Sequence, residues 1–247
     1  MIAWDLILAA AALFFLLLFA FLNGRPNRRA KRHIPAFSEL RRTIDLSVED
    51  GSRMQVSLGA GGLLGPQSAA ALVGLSLLRE VAETASDSDQ PPIASSGDAA
   101  LSLVAQDTLR AAYRRLSIRD QYDVSLGAVT GLTPFSYGAG TMPMILDNVV
   151  SGSALVGSFG LEAGLISAAS QPQQRFTLGG SDSLSAQALL FASAQQPLIG
   201  EELYATGAYA DAGRMHNASL HAQDVLRWLL VIGLIANAVA NLFGMGL

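Results

Sequence analysis

Residues 53–78 read RMQVSLGAGGLLGPQSAAALVGLSLL, and this stretch decides the fold class. Arg53 to Leu58 alternates in polarity at period two, the pattern of a strand. From Gln67 to about Ser86 the period changes to that of a helix, with Leu72, Leu75, Leu78 and Val81 or Ala82 on one stripe. Between the two lies Gly59-Ala-Gly61-Gly62-Leu-Leu-Gly65-Pro66, and Pro66 suits a first helical turn, where its missing N–H costs nothing. Strand, glycine turn and helix form the opening unit of a parallel α/β sheet.

Downstream the alternation continues. A polar stretch, Asp87 to Pro92, stops the helix, and Pro92 to Ser95 is a short strand candidate. Ser96-Gly97-Asp98 opens an amphipathic helix over Ala99–Leu116 that carries Leu101, Val104, Leu109 and Tyr113. Gly127 to Leu132 reads as a strand and Thr133 to Gly140 as a loop or helix opening. Ser153 to Phe159 reads as a buried strand, Leu161 to Ala169 as a helix and Arg175 to Leu178 as a strand. Gly179 to Asp182 reads as a turn and cap before a helix over Ser183–Gln195, with further helical pieces at Glu201–Tyr209 and Met215–Asp224. Strands alternating with helices predict a Rossmann-like, mostly parallel sheet with right-handed crossovers.

The glycine turn is the one motif with a mechanism. In dinucleotide-binding folds such a turn lets backbone approach a pyrophosphate at a helix N-terminus. That reading makes Gly59, Gly61, Gly62 and Gly65 ligand-binding residues and a nucleotide the cofactor they would hold. The acid expected on a second strand is not clearly placed, because Asp87 and Asp89 fall nearer a loop. The competing reading is a tight turn that lets helix and sheet pack closely, and on it no cofactor is expected.

Other chemistries find little support. Lys31 is the one lysine, so a P-loop is excluded. His216 and His221 are five apart, the wrong spacing for a helical metal pair, and no metal site is expected. No serine lies in a G-x-S-x-G setting. Cysteine is absent, which removes thiolate ligands and nucleophiles. Glu201, Glu202 and Asp211, or Asp98 and Asp107, read as solvated helix starts and caps. No catalytic residue is assigned, and an enzyme is the less favoured reading.

The ends of the chain carry the second signal. Hydrophobic residues make up 51% of the protein and charged residues 15%, against about 25% charged in ordinary soluble domains. From Leu6 to Leu22 there is no charged side chain. With Ala3 and Trp4 the run reaches about 20 apolar residues, enough for one helix to cross ~30 Å of hydrocarbon. A signal peptide is the rival reading, but Asp5 replaces a basic start and no small-x-small site follows. The second run, from Val225 to Leu247, contains one charge, Arg227, beside Trp228, the pairing that marks a membrane interface. Asn237 and Asn241, four apart, form a candidate association stripe. A core helix of a soluble domain is the weaker alternative.

Seven of the 16 basic residues fall in one patch: Arg25, Arg28, Arg29, Lys31, Arg32, Arg41 and Arg42. Basic residues flanking a span stay on the cytoplasmic side, and they can also attract anionic headgroups. Arg227 and Trp228 join them as membrane-surface residues. The expected organisation is a transmembrane helix over 1–24 with its N-terminus outside, a basic juxtamembrane linker over 25–42, a cytoplasmic α/β domain over 43–224 and a C-terminal transmembrane helix over 225–247. Both termini then lie outside the inner membrane of a bacterium. Residues 149–169, with Glu162 as their one charge, are the candidate for a further span, although their glycines and serines suit a packed strand and helix better. Outside the patch the chain is acidic, so nucleic acid is not an expected partner.

Several strings carry a family resemblance: SLGAGGLLGPQSAAALVGLSLL (57–78), SSGDAALSLVAQDTLRAAY (95–113), GLTPFSYGAG (131–140), SLSAQALLFASAQQPLIGEELYATGAY (183–209) and SLHAQDVLRW (219–228). They resemble a family of bacterial membrane proteins known only as a domain of unknown function. The resemblance implies a shared two-anchor, Rossmann-like architecture; it implies no chemistry and assigns no functional residue. The expected function is therefore a membrane-anchored structural or assembly protein that forms a homo-oligomer or joins other membrane-complex subunits, with the bilayer as a further partner. The alternative is a membrane-tethered nucleotide- or phosphate-binding module or enzyme. Two spans without intramembrane acids are too few to make a transport path alone.

Overall fold

The computed structural model of the protein describes residues 34–86, 88–116, 122–147, 149–209 and 214–242, with positions 14, 15, 17 and 18. The chain divides into two compact units: Arg32–Ala212, and a second made of Met1–Lys31 with Gly213–Leu247.

The first unit is built on six strands, β1 (Arg53–Gly59), β2 (Ile93–Ser96), β3 (Gly127–Val129), β4 (Val150–Ser158), β5 (Phe176–Ser181) and β6 (Gln196–Leu198). They form one sheet in the order β3-β2-β1-β4-β5-β6, and every pairing is parallel. The α/β expectation is met, with a sheet that is wholly rather than mostly parallel. Its helices are α1 (Pro35–Glu49), α2 (Ser68–Ala85), α3 (Ala99–Arg115), α4 (Pro134–Leu146), α5 (Glu162–Ser170), α6 (Leu184–Ser193) and α7 (Glu202–Tyr209). Helices α1, α2, α3 and α7 pack as one layer, while α4, α5 and α6 pack in sequence as another.

Alternation along the strands feeds two cores. Met54, Val56 and Leu58 of β1 join Leu77, Leu78 and Val81 of α2 in the larger cluster. Leu155 of β4 joins Tyr137, Ile145, Ile166 and Leu190 in the smaller. Segment 149–169 is therefore the central strand β4 and helix α5, in the core of the domain.

Five local features differ from the sequence reading, each for a packing reason. Helix α1 takes over 35–42, the last part of the expected linker, because Phe37, Leu40 and Ile44 recur on one face and are buried. Leu72 is exposed: α2 approaches the sheet through Gly74, whose missing Cβ would lie 2.2 Å from the Val156 carbonyl oxygen. That close approach favours Ala71 and Gly74 at the contact and turns Leu72 aside. Val104 of α3 is likewise exposed, so its buried stripe runs through Leu101, Ala105, Leu109 and Tyr113. Gly179–Ser181 continue β5 instead of turning, because a bare Gly179 lets Leu190 of α6 press onto the strand. Thr133 opens α4 through a capping box with Ser136, in agreement with the helix-opening alternative read for Thr133 to Gly140. Strand β6 has three residues and a central proline, which an edge position tolerates and which leaves too little pattern to read.

The second unit contains α8 (Arg214–Leu242), unbroken across the expected boundary at 224 and 225. One candidate span is found among the described residues, Ala218–Ile235. Trp228, Leu229, Leu230, Ile232 and Leu234 on it are exposed. Of the N-terminal apolar run, Phe14, Phe15, Leu17 and Leu18 are helical, and the remainder lies outside the described residues.

Candidate functional site

In a sheet ordered β3-β2-β1-β4-β5-β6 the chain leaves β1 and β4 in opposite directions, and the crevice between their C-terminal ends is where such folds place ligands. The glycine turn lies at that point. Gly59 ends β1 at φ +86°, and a Cβ there would come within 2.1 Å of the Ser158 carbonyl oxygen. Only glycine combines that left-handed backbone with so near a neighbour. A Cβ on Gly61 would meet the Ser158 Cβ at 2.4 Å, its Oγ at 2.9 Å and the Gln67 Oε1 at 3.2 Å. The first two glycines are thus packed against the end of β4.

Their backbone is also engaged. The N–H of Gly59 donates to the Tyr137 hydroxyl at 3.1 Å, while those of Ala60 (3.0 Å) and Gly61 (3.3 Å) both donate to the Ser158 carbonyl oxygen. The Gly59 carbonyl accepts from Gly97 at 2.9 Å, which ties the turn to the end of β2. Gly62 and Gly65 differ: a Cβ on Gly62 would make ordinary contact with the Asp98 carboxylate at 3.5 Å, and around Gly65, at φ +120°, the space is open. The structure brings Gly59, Gly61 and Gly62 together around Ser158 and Asp98 and leaves Gly65 outward.

Beneath the turn runs a buried polar seam that the sequence reading missed. Gln55 donates through Nε2 to Ser57 Oγ at 2.8 Å and to Ser95 Oγ at 3.0 Å, and the two serine hydroxyls are 3.2 Å apart. Thr130 and Thr141 bond each other at 2.8 Å. Tyr137 projects from α4 into this seam, fully buried. Burial pushes its phenol up from the ordinary 10.0, while Ser95, Ser57, the Gly59 N–H and Thr141 pull the other way; the group is a neutral phenol at neutral pH. Ser153, the register partner of Gln55 across β1 and β4, is buried as well, and neither its Oγ nor Gln55 Oε1 has a hydrogen-bond partner. The available signal was in β1: Gln55 and Ser57 are polar at period two in a central strand, where both faces are buried.

The charged groups nearby serve the fold. Asp98 caps α3 by accepting from the Leu101 N–H at 2.8 Å, and Glu162, itself buried, accepts from the Gly160 N–H at 2.8 Å. Among the described residues no group of three or more His, Asp or Glu could hold a metal ion.

The C-terminal edge of the sheet is greasy and acidic. Leu64 after β1 is 95% exposed, Leu132 after β3 75%, and Leu184 after β5 82%. Phe135, Leu161 and Ile199 in the same set of turns and helix starts are exposed too. Stretches 59–72, 97–103, 130–138, 159–165, 182–187 and 199–205 contain no Lys, Arg or His, and their charged residues are Asp98, Glu162, Asp182, Glu201 and Glu202.

Of the residues expected at the membrane surface, Arg25, Arg28, Arg29, Lys31 and Arg32 lie outside the described residues. Arg41 lies on α1 and bonds within the domain: its guanidinium donates to the Tyr209 carbonyl at 2.9 Å and faces Glu80 at 3.7 Å. Arg42 is exposed on the same helix, and Arg227 and Trp228 are exposed on α8. Phe37 stacks on Tyr209 with ring centroids 4.7 Å apart and planes 9° apart, which joins the first and last helices of the α/β unit.

No curated protein and no solved structure matches the chain. One family model does, over residues 3–246, so the chain belongs to the family described as Domain of unknown function (DUF6754).

Proposed function

We propose that this protein is a membrane-anchored assembly protein whose α/β domain associates with other copies or other subunits of a membrane complex. The observation that carries the reading is the state of the switch point. The chain's own Ser158 fills the space beside Gly59 and Gly61, and the first three N–H groups of the turn are spent on Tyr137 and Ser158. A pyrophosphate needs bare backbone and free donors at those positions. Here the glycines instead allow close packing of strand, turn and helix. Helix α8 holds an 18-residue candidate span, Ala218–Ile235, which includes Asp224 and Arg227; the apolar run from Trp228 onward supports insertion with Arg227 at the interface. Anchoring through both terminal runs, with the α/β domain on the cytoplasmic side of a bacterial inner membrane, is part of the same proposal. The basic run from Arg25 to Arg32 and Arg227 support that orientation.

The test is purification of the full chain from native membranes into lipid nanodiscs, followed by native mass spectrometry. A stable oligomer or a stoichiometric partner is expected; a monomer with nothing attached overturns the assembly reading. Full release by carbonate washing, or labelling of the central domain from outside intact cells, overturns the anchored topology.

A second reading has one observation in its favour. Gln67, the N-cap of α2, makes no side-chain cap bond beside the open Gly65, and an uncapped helix start attracts anions. Binding of an adenine nucleotide that is lost in Gly62→Val, with the fold retained, would support it.

A further inference from the structure

We infer that the C-terminal edge of the sheet is the docking face of the α/β domain, and that it takes a protein surface in which apolar side chains alternate with Arg or Lys. This inference rests on the assembly reading and names the partner's chemistry.

Parallel strands bring the turns after them to one end of the sheet. Five of the six turns or helix starts there present an exposed apolar side chain: Leu64 after β1, Leu132 and Phe135 after β3, Leu161 after β4, Leu184 after β5 and Ile199 after β6. Leu103, in the second turn of α3, is exposed beside the remaining one. Single exposed leucines need no explanation; a set at one edge, drawn from five of its six turns, marks an interaction surface. Side-chain caps nearby are made by Asp98 and Thr133, and Leu161, at the N-cap position of α5, makes no side-chain cap bond.

Charge selects the occupant. Over the six stretches that make this edge there is no basic residue, and their acids other than the buried Glu162 are Asp98, Asp182 and Glu202, partly exposed, and Glu201, exposed. A nucleotide or an anionic lipid surface would bring negative charge to acidic stretches that hold no cation of their own to meet it. A second copy bound through the same face would set its acids against these acids, the like-charge arrangement that an isologous contact imposes. A partner with apolar anchors and basic neighbours satisfies both features: leucines would fill its pockets, and the rim carboxylates would steer its approach.

The experiment uses the full chain in its native membrane, with a photo-crosslinking phenylalanine analogue placed singly at Leu64, Leu132 or Leu184, and at Val124 and Leu146 as controls on turns at the N-terminal ends of the strands. The expected result is an adduct at the three edge positions alone. Its mapped partner peptide should carry both apolar and basic side chains. Yield should fall at least fivefold in the triple variant Asp98→Asn, Asp182→Asn, Glu202→Gln, where asparagine keeps the cap on α3. Adducts to lipid, to the same face of another copy, or to an acidic peptide overturn the inference. So do silence at all three edge positions and indifference to the triple variant. If the nanodisc experiment yields a complex while the edge positions stay silent, assembly stands and this face is wrong; if the chain is a monomer, both fall.

Discussion

The hydroxyl of Tyr137 on α4 and the backbone N–H of Gly59 at the end of β1 are hydrogen-bonded at 3.1 Å across 78 residues of sequence. The bond fastens the glycine turn to the helix that crosses from β3 to β4, under full burial. It also closes a polar seam through Ser57, Ser95 and Gln55 that an apolar core would not contain. Removing one partner from such a seam leaves the other groups unsatisfied, which costs more than the bond itself contributes.

Tyr137→Phe should therefore lower stability by about 1–3 kcal/mol, read as a lower denaturant midpoint with unchanged slope. An unchanged midpoint would mean that water or a rotated serine replaces the phenol at no cost.

The same tyrosine sets an alkaline limit. Its folded phenol is pushed above the ordinary 10.0 by burial, so its contribution to stability is complete below that value. It is lost as pH rises from about 10 toward the folded value, because the unfolded chain ionises first. Tyr113 and Tyr122, raised chiefly by burial, add to the same loss. Wild type should lose stability above pH ~10 more steeply than Tyr137→Phe does, measured as melting temperature against pH.

Gly61→Ala and Gly62→Ala separate packing from ligand binding. The first forces a Cβ to within 2.4 Å of the Ser158 side chain and should cost about 1–3 kcal/mol as an overpacked contact. The second places its Cβ at ordinary contact distance from Asp98, 3.5 Å, and should leave the melting temperature nearly unchanged. Equal effects of the two would contradict the filled geometry around Ser158.

Phe37 and Tyr209 hold the first and last helices of the domain together. Phe37→Ala should destabilise it by about 3–5 kcal/mol as a buried aromatic truncation. A double-mutant cycle with Tyr209→Ala should return a coupling of about 0.5–1.5 kcal/mol for the stacked pair. Zero coupling would mean that the rings touch without mutual stabilisation.

Ile232→Arg places a charge in the uncharged run that follows Arg227 on α8, within the candidate span Ala218–Ile235. A charge costs up to about 2.5–3.5 kcal/mol at the centre of a spanning helix and less toward its ends. The variant should shift the chain from the membrane pellet toward the supernatant or toward degradation, read by fractionation. A neutral outcome would argue that this helix is not in lipid.

Periodicity and hydropathy are local, and they were enough to predict the α/β class, the α2 helix after the glycine turn and the Asp98 start of α3. What depends on distant parts of the chain was illegible. No local pattern says that Ser158 would occupy the space beside Gly61, that Tyr137 would reach Gly59, or that Leu72 would face outward because Gly74 meets Val156. The site was legible only as a motif with two readings, since a glycine turn looks the same whether it makes room for a ligand or for its own β4.

The sequence alone thus determined the alternation of strands and helices and the apolar C-terminal helix, because both follow from short-range spacing of apolar side chains. The tertiary structure decided what surrounds the glycines and gathered Leu64, Leu132, Leu161 and Leu184 at one edge. It did so because parallel pairing and its order are set by long-range burial, and these bring together residues that are far apart along the chain.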